Sequence, residues 1–285
     1  MRWVVMGDTG LFGYEMSHLL EERGEELLRF NRSNLDLENS PESIASQIGQ
    51  AHVIVNAVGY TQVDKAEQEL YEANTSNGIY AGKLAEVAEL LGAKYFYISS
   101  DYVFDGEAAS PYSVTSLTNA QSVYGKSKEL GEKLITQSGA NYTIFRTSWL
   151  YGANGRNFAK TMARKLLDAG GAKIVNDQFG TPTWTRDLAE VVYAHGVHDF
   201  NERIVHAVAT GSGSWFDFAR EVAATLPEGD KYFLSPVSTE EFPTAAKRPA
   251  FSVLDNSETK GPIIGDWHER WNVAAPEVLA EFLTD

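Results

Sequence analysis

Cysteine is absent from this 285-residue chain, which excludes disulfides, cysteine-ligated zinc, iron–sulfur clusters and a catalytic thiol. Long apolar runs are missing as well. The first run, 3–6, stops at Gly7, and no later stretch approaches about 18 uninterrupted apolar residues. The sequence therefore predicts neither a signal-peptide core nor a membrane-spanning helix. We expect a soluble cytoplasmic protein without a membrane partner.

Basic residues are also scarce. Lysine and arginine number 24 against 39 acidic residues, so the formal net charge is −15. Such a surface repels nucleic-acid phosphates, and we expect no nucleic-acid partner. Hydrophobic residues make up 43% and charged residues 22% of the chain, which is typical of a globular protein. The length fits two ordinary domains, or one large α/β unit with an appended lobe.

Short apolar runs alternate with helical patterns in the first half. The runs predict buried strands over 2–6, 27–30, 53–58, 95–99 and 142–145. Between them, apolar residues at helical spacing predict helices over 11–23, 78–91 and 122–136. This alternation is typical of βαβ units, and it predicts an α/β fold with a Rossmann-type, doubly wound parallel sheet.

A glycine-rich loop follows the first predicted strand. Gly7, Gly10 and Gly13 form a G-x-x-G-x-x-G pattern between that strand and a helix. The first glycine permits a tight turn, the second lets the backbone approach a pyrophosphate, and the third lets the helix pack on the strand. The helix N-terminus adds N–H groups and a favourable dipole. The loop predicts a dinucleotide site, with a ligand-free turn as the alternative. The same site is assigned Thr9, Leu11 and Phe12.

The end of the second predicted strand indicates which dinucleotide is bound. A cofactor with a free ribose 2′-hydroxyl is usually met by an acidic residue about 20 residues beyond the loop. Here the strand is followed by Asn31, Arg32 and Ser33. Arginine and serine suit a 2′-phosphate, which favours NADPH as the cofactor. NADH is the alternative cofactor, and a solvated surface charge is the alternative role of Arg32. Asp36 is placed at the adenine edge, and Leu37 beside it is counted with the cofactor site.

Two parts of the chain follow from these patterns. Residues 1–150 are predicted to form an NADP-binding Rossmann domain. Residues 151–285 are predicted to be mainly a smaller, loop-rich substrate lobe, because helical patterns over 158–167 and 215–226 lie among segments rich in Gly, Pro, Asn and Thr. A further helix over 186–195 is expected to return to the first domain, as are other segments of this part.

A tyrosine and a lysine share one face of the third predicted helix. Tyr124 and Lys128 are four residues apart, and the lysine charge should lower the tyrosine pKa from its reference near 10. Tyr124 then becomes a proton donor near neutral pH. The fourth predicted strand delivers Ser100 to the carboxyl edge of the sheet, where it can hydrogen-bond the carbonyl that Tyr124 protonates. These groups predict hydride transfer at a carbonyl carbon. Alternatively, Tyr124 and Lys128 are an ordinary pair on a helix surface, and Ser100 is the cap of a helix or turn.

Several longer segments carry a more particular resemblance. They are 7–13, 55–67, 99–106, 123–128, 145–149, 157–162, 176–183 and 247–249. Over nearly its whole length the chain resembles the dTDP-4-dehydrorhamnose reductase family of the extended short-chain dehydrogenase/reductase superfamily. The resemblance implies NADPH-dependent reduction of the C4 keto group of dTDP-4-dehydro-L-rhamnose, a nucleotide-sugar substrate.

The resemblance also implies roles for individual residues. Tyr124 would donate the proton, Lys128 would tune it and anchor the nicotinamide ribose, and Ser100 stands where the family has Thr or Ser. The cofactor would also be lined by Ala57, Val58, Tyr60 and Ser99. The deoxyhexose, held by Ser100 and Tyr124 as well, would be lined by Val63, Asp101, Tyr102 and Trp149. A tryptophan face can cover the methyl-bearing side of such a sugar, with core filling as the alternative.

The chain departs from the family pattern in one region. Pro111 and Tyr112 are followed by 113–116 without the usual acidic residues, and 119–121 lacks the proline that the family has before the tyrosine helix. This puts the shape of the loop over the substrate in question. The substrate diphosphate has three candidate partners, each with a surface charge as the alternative reading. They are Arg248, Lys160 and Arg156.

Other functions stay open at this point. His195 and His198 follow Glu190 at metal-like spacing, but a helix C-terminus explains them better, and we assign no metal ligand. An interfacial magnesium and a homodimer are left open. The chain could instead be another nucleotide-sugar 4-ketoreductase or epimerase. It could also be a non-catalytic partner like the regulatory subunit of methionine adenosyltransferase.

Overall fold

Six parallel strands form the central sheet of the computed structural model, which describes residues 1–283. In chain order the strands are β1 Arg2–Met6, β2 Glu26–Phe30, β3 Val53–Asn56, β4 Lys94–Ser100, β5 Asn141–Thr147, β6 Leu150–Tyr151, β7 Gly171–Val175, β8 Phe179–Gly180, β9 Thr183–Trp184, β10 Ile204–His206, β11 Gly213–Ser214 and β12 Phe233–Val237. The helices are α1 Leu11–Glu22, α2 Pro41–Ile48, α3 Val63–Ala66, α4 Leu70–Asn74, α5 Tyr80–Leu91, α6 Val123–Gln137, α7 Phe158–Ala169, α8 Thr185–Val197, α9 Trp215–Thr225, α10 Trp267–Val278 and α11 Ala280–Leu283.

The central sheet has the order β10-β5-β4-β3-β1-β2, and each neighbouring pair is parallel. The chain turns to one side of β1 to form β2 and then to its other side to form β3. Loops that leave the carboxyl ends of β1 and β3 therefore diverge, and in open α/β sheets ligands bind in the crevice between such loops. The predicted parallel, Rossmann-type α/β fold is confirmed.

Apolar side chains cover both faces of this sheet, as a parallel sheet requires. On one face Trp3 and Val5 pack with helices of the second half of the chain, and on the other Val4 and Ile54 pack with α2 and α5. No helix within residues 1–283 is long and apolar enough to cross a membrane.

The predicted elements differ from the observed ones mostly at their ends. The strand predicted over 53–58 ends at Asn56, because the Asn56 side chain accepts a hydrogen bond from the Val58 N–H at 3.0 Å and turns the chain. The helix predicted from 78 begins at Tyr80, since a π-helical turn, Thr75–Ile79, precedes it. Five helices were not predicted, namely α2, α3, α4, α10 and α11.

Parts of the second half lie against the first. Strand β10 pairs with β5 in the sheet, with Ile204 opposite Ile144. Helix α8, predicted over 186–195, packs on α1, where Arg186 forms an ion pair with Glu15 at 3.4 Å. The assignment of cofactor binding to residues 1–150 and of substrate binding to the remainder stays a prediction.

Candidate active site

The glycine loop lies at the crevice between β1 and β3. Gly7 has φ +83°, and a Cβ there would come within 3.0 Å of the Ala57 backbone. A Cβ on Gly13 would lie 2.1 Å from the Gly7 carbonyl oxygen, so α1 can pack this closely on the loop through glycine. Gly10 is the N-cap of α1 and brings no side chain over the first N–H groups of the helix. The loop therefore leaves a bare helix N-terminus at the sheet edge.

The other predicted members of this loop take different positions. Thr9 is exposed, Leu11 is half-buried, and the Phe12 side chain is part of the hydrophobic core. The Phe12 side chain therefore supports the fold, and a cofactor contact predicted for this residue would use its backbone.

The predicted adenosine side follows β2. The Asn31 amide donates to Asp8 in the glycine loop at 2.9 Å, which joins the two loops, and Arg32 is exposed beside it. Asp36 is exposed, while Leu37 is half-buried and its carbonyl accepts from the Lys83 ammonium at 2.6 Å. The residues predicted to bind the 2′-phosphate and the adenine thus lie on the same side of the crevice.

A buried asparagine that sequence reasoning missed joins the loop after β3 to α6. The Asn77 side chain accepts from the Tyr60 N–H at 2.9 Å, donates to the Tyr60 carbonyl at 3.0 Å and donates to the Ser127 hydroxyl at 2.8 Å. Ser127 in turn donates to the Tyr124 carbonyl at 2.7 Å. Ala57, Val58 and Tyr60 are thereby held against the helix that carries Tyr124. A π-helical turn positions Asn77, and such turns are frequent at functional sites.

Ser100 ends β4 and lies beside a buried carboxylate. Its hydroxyl donates to Asp101 at 2.9 Å, and the Ser252 hydroxyl donates to the second Asp101 oxygen at 2.5 Å. Burial raises the pKa of Asp101 to about 6, and the two hydroxyl donors oppose that rise. Ser252 comes from the segment after β12, so a distant part of the chain helps to orient the residue next to Ser100. Sequence reasoning missed Ser252.

Tyr124 and Lys128 share one face of α6, as predicted; Lys128 is buried and Tyr124 is half-buried. Burial raises the pKa of Tyr124; a hydrogen bond from Ser100 opposes the rise, and the Asp101 charge adds to it. The expected lowering of the Tyr124 pKa is therefore wrong, because desolvation of the phenolate outweighs the Ser100 hydrogen bond that lowers the pKa. A phenol that keeps its proton at neutral pH suits a proton donor.

The Lys128 ammonium is buried and is held by β4. Lys128 donates to the Ile98 carbonyl at 3.0 Å and lies 5.0 Å from the centre of the Tyr97 ring. Burial lowers the pKa of Lys128 to about 8, and the charge of Glu132, one turn further along α6, opposes that fall. Lys128 therefore remains mostly cationic at neutral pH.

A buried ion pair supports this helix from beneath. Glu132 accepts from Arg146 through Nη2 at 2.7 Å and Nε at 3.0 Å, and from the Ser99 hydroxyl at 2.6 Å. The Ser99 side chain is thus directed at Glu132, and the cofactor contact predicted for it would use its backbone. The pair also fixes α6 to β4 and β5.

Of the residues predicted for the sugar, Tyr102 and Asp101 lie beside Tyr124. The Tyr102 ring meets the Tyr124 ring edge-on at 5.5 Å, and Val63 begins the short helix α3. Trp149 has φ +45°, a left-handed conformation that is costly for a tryptophan, and its ring stacks on Trp215 at 3.5 Å. A strained aromatic residue at a sheet edge is typical of a binding site.

The three candidate diphosphate partners are not brought together. Arg248 forms an ion pair with Asp64 at 2.6 Å and donates to the Tyr102 hydroxyl at 3.1 Å. Lys160 donates to the Ala153 carbonyl at 2.5 Å, and Arg156 is exposed. Their role in binding a diphosphate stays a prediction.

The two histidines lie far from the site. His195 faces Glu202 at 3.1 Å and the Val191 carbonyl at 2.8 Å, and His198 caps the C-terminus of α8. Over residues 1–283, no three or more His, Asp or Glu side chains are grouped so that they could hold a metal ion.

Comparison with known families agrees with this geometry. The family model described as the RmlD substrate binding domain matches residues 1–284. The chain belongs to this family. The match spans both the glycine loop and the segments that surround Tyr124, so one family accounts for the whole site.

Members of the family and their relatives match over full length. A dTDP-4-dehydrorhamnose reductase of Burkholderia thailandensis is 34% identical over 99% of this chain and 100% of its own length. A probable dTDP-4,6-dihydroxy-2-methyloxan-3-one 4-ketoreductase of Streptomyces antibioticus is also 34% identical, over 98% of this chain and 96% of the relative. The crystal structure of a dTDP-4-dehydrorhamnose reductase from Bacillus anthracis in complex with NADP is 32% identical, with a TM-score of 0.91 over 97% of this chain and 99% of that chain.

Proposed function

We propose that the protein reduces the C4 keto group of dTDP-4-dehydro-L-rhamnose with NADPH, giving dTDP-L-rhamnose. The observation that carries the proposal is that Ser100, Tyr124 and Lys128 come together at the carboxyl edge of the sheet, next to the glycine loop, with Ser100 and Lys128 buried and Tyr124 half-buried. Full-length relatives named as dTDP-4-dehydrorhamnose reductases support the substrate, and the NADP complex of one such enzyme supports the cofactor.

The chain offers a cradle that fits a dinucleotide. A side chain at Gly7 or Gly13 would press on the backbone of Ala57 or of Gly7 and distort the loop, and the bare N-terminus of α1 suits a pyrophosphate. Gly10 would bring the backbone to the pyrophosphate, Arg32 would meet a 2′-phosphate, and Lys128 would hold the nicotinamide ribose. Bound NADPH would supply the hydride that C4 receives.

The protein's own groups would complete the reduction at oxygen. Ser100 would turn its hydroxyl proton from Asp101 to the C4 oxygen and place that oxygen beside the Tyr124 hydroxyl. Tyr124 would then give its proton to that oxygen, so that the keto group becomes an alcohol. Because desolvation raises the pKa of the Tyr124 phenol, it keeps its proton at neutral pH and is prepared for donation. Lys128 would stabilise the phenolate that remains.

Turnover by the purified protein tests this proposal. We expect NADPH oxidation at saturating dTDP-4-dehydro-L-rhamnose, and a loss of about 10²- to 10⁴-fold in kcat for Tyr124→Phe, because a positioned proton donor contributes that much. NADPH affinity should remain close to that of the unmodified protein. Equal turnover by the two proteins would contradict the role of Tyr124. Absence of turnover in both would favour a non-catalytic partner.

A related reaction on another sugar is the second candidate. The relative named as a 4-ketoreductase of a different dTDP-linked sugar is as similar to this chain as the Burkholderia thailandensis reductase. Competition between the two 4-ketosugars at equal concentration gives the ratio of their kcat/KM values. A ratio that favours the other sugar would reassign the substrate and leave the chemistry in place.

The proposed setting is the cytoplasm, where the biosynthesis of a nucleotide sugar would take place. A homodimer is the assembly that we propose to test, by sedimentation with and without magnesium. A single species at the monomer mass in both conditions would contradict it.

A further inference from the structure

Thr147, the last residue of β5, carries a buried hydroxyl that the proposed reaction has not used. Its side chain is 4% exposed, and its Oγ1 has no hydrogen-bond partner within residues 1–283. A buried hydroxyl left without a partner costs free energy, and most such groups in proteins are satisfied. An exception at the carboxyl edge of a parallel sheet lies where ligands bind.

The strand register shows which way this hydroxyl faces. Ser99 is opposite Arg146, and both side chains reach Glu132 on α6, so they share one face of the sheet. Ser100 is opposite Thr147. Because successive residues of a strand point to opposite faces, Ser100 and Thr147 share the other face and stand about 4.8 Å apart across the strands.

The neighbours of Thr147 belong to the sugar side of the site. Ser100 lies across the strand pair, and Trp149 follows two residues later. The glycine loop follows β1, from which β5 is separated by β4 and β3. Two hydroxyls on neighbouring strands can reach oxygens on neighbouring carbons of a sugar ring.

We propose that Thr147 is a specificity-determining residue, whose hydroxyl forms a hydrogen bond with the sugar oxygen on C3, the carbon next to the keto group at C4. The inference rests on the proposed function and deepens it. Ser100 binds the oxygen on C4 and Thr147 binds the oxygen on C3, so the two hydrogen bonds together fix the orientation of the sugar ring. A site built to bond a substrate hydroxyl strongly rejects an analogue that lacks it.

Three variants separate this contact from a structural role. Thr147→Val removes the hydroxyl at nearly constant volume, and we expect kcat/KM for the sugar nucleotide to fall about 10- to 100-fold. Its Tm should not fall, since the lost hydroxyl has no protein partner. Thr147→Ser should retain activity.

Thr143→Val is the matched control on the same strand. The Thr143 hydroxyl donates to the Glu202 carbonyl at 2.8 Å, so this variant should lower Tm and leave kcat/KM unchanged. If Thr147→Val lowers Tm as much as the control does, its hydroxyl is bonded within the protein and the inference is wrong.

A substrate analogue identifies the bonded atom. With the 3-deoxy form of the 4-ketosugar nucleotide, Thr147→Val and the unmodified protein should turn over equally, because the hydroxyl then has nothing to bond. An equal loss with both substrates, a loss confined to the KM for NADPH, or no loss at all would overturn the inference.

Binding of the product decides the matter independently of turnover. Calorimetry with dTDP-L-rhamnose should show at least tenfold weaker binding to Thr147→Val than to the unmodified protein. If the unmodified protein binds this ligand but does not turn over, the proposed function fails while the contact can stand. Equal binding to both proteins would overturn the contact alone.

Discussion

Replacing Glu132 by glutamine tests how the ion pair beneath α6 supports both the fold and Lys128. The Glu132 and Arg146 side chains are 8% and 4% exposed, and their charged atoms approach to 2.7 Å. Glutamine keeps the shape and one acceptor oxygen but leaves the Arg146 guanidinium buried without an opposite charge. Removing one partner of a buried pair costs about 3–5 kcal/mol.

We place the cost for Glu132→Gln at the lower end of that range, about 3 kcal/mol, because the amide oxygen can still accept from Arg146 or Ser99. At about 2–4 °C per kcal/mol for a chain of this general size, Tm should fall by roughly 6–12 °C. The same change removes the charge that opposes the effect of burial on Lys128. The pKa of Lys128 should then drop below about 8, and the alkaline limb of the kcat/KM profile should move to lower pH, because the cationic lysine is the active form.

Chemical denaturation and a pH profile between 6 and 10 measure the two effects. The double variant Glu132→Leu with Arg146→Met is the control: it should recover most of the stability, since an apolar pair can replace a buried ion pair. It should not recover the alkaline limb. A loss below about 1 kcal/mol for Glu132→Gln would refute the energetic reasoning. An unmoved alkaline limb would refute the electrostatic link to Lys128.

Two further predictions concern Asp101 and Arg32. Because burial raises the pKa of Asp101 from 3.8 to about 6, its ionised form destabilises the fold above pH 6, and this cost disappears as the pH falls towards 4. Asp101→Asn should therefore stabilise the protein by about 3 kcal/mol at pH 8 and by almost nothing at pH 4, as measured by denaturation; an equal gain at both would contradict the shift. Arg32→Ala should raise the KM for NADPH about tenfold and leave that for NADH unchanged. Equal use of both cofactors by the unmodified protein would remove the role of Arg32.

The central elements could be predicted because their patterns are long and local. The glycine spacing defined the start of α1, and the four-residue spacing of Tyr124 and Lys128 placed both on one face of α6. Helix α2 also has a local signature that could have revealed it. Ser40 caps the helix through the Ser43 N–H, and Pro41 occupies its first position.

Other parts of the site depend on contacts that no local pattern encodes. Ser252 lies about 150 positions beyond Asp101 in sequence, and the two meet through the path of the segment after β12. Asn77 acts through a π-helical turn, which shifts the helical period by one residue and so escapes a search at period 3.6. Glu132 was visible one turn after Lys128, but its partner Arg146 lies on another element.

The direction of the Tyr124 pKa shift could not be predicted from the sequence either. Spacing showed that Lys128 would lie near Tyr124, whereas the sign of the Tyr124 shift depends on how completely water is excluded. Desolvation raises the Tyr124 pKa by more than the Ser100 hydrogen bond lowers it. A shared helix face is therefore enough to identify a catalytic pair, but the direction of its tuning requires the packed structure.

Strand β10 has a consequence for the modularity of the chain. Its three residues, Ile204–His206, extend the sheet beyond β5, so a fragment that ends near residue 150 would present β5 as a bare edge. A chimaera of two relatives joined at that point would pair β5 of one parent with β10 of the other, and α8 of one with α1 of the other. A working chimaera would have to keep β10 and α8 from the parent that supplies the sheet and recombine only the segments between them and after them. The smallest part of this protein that can be exchanged as a whole is therefore made of segments that are not continuous in sequence.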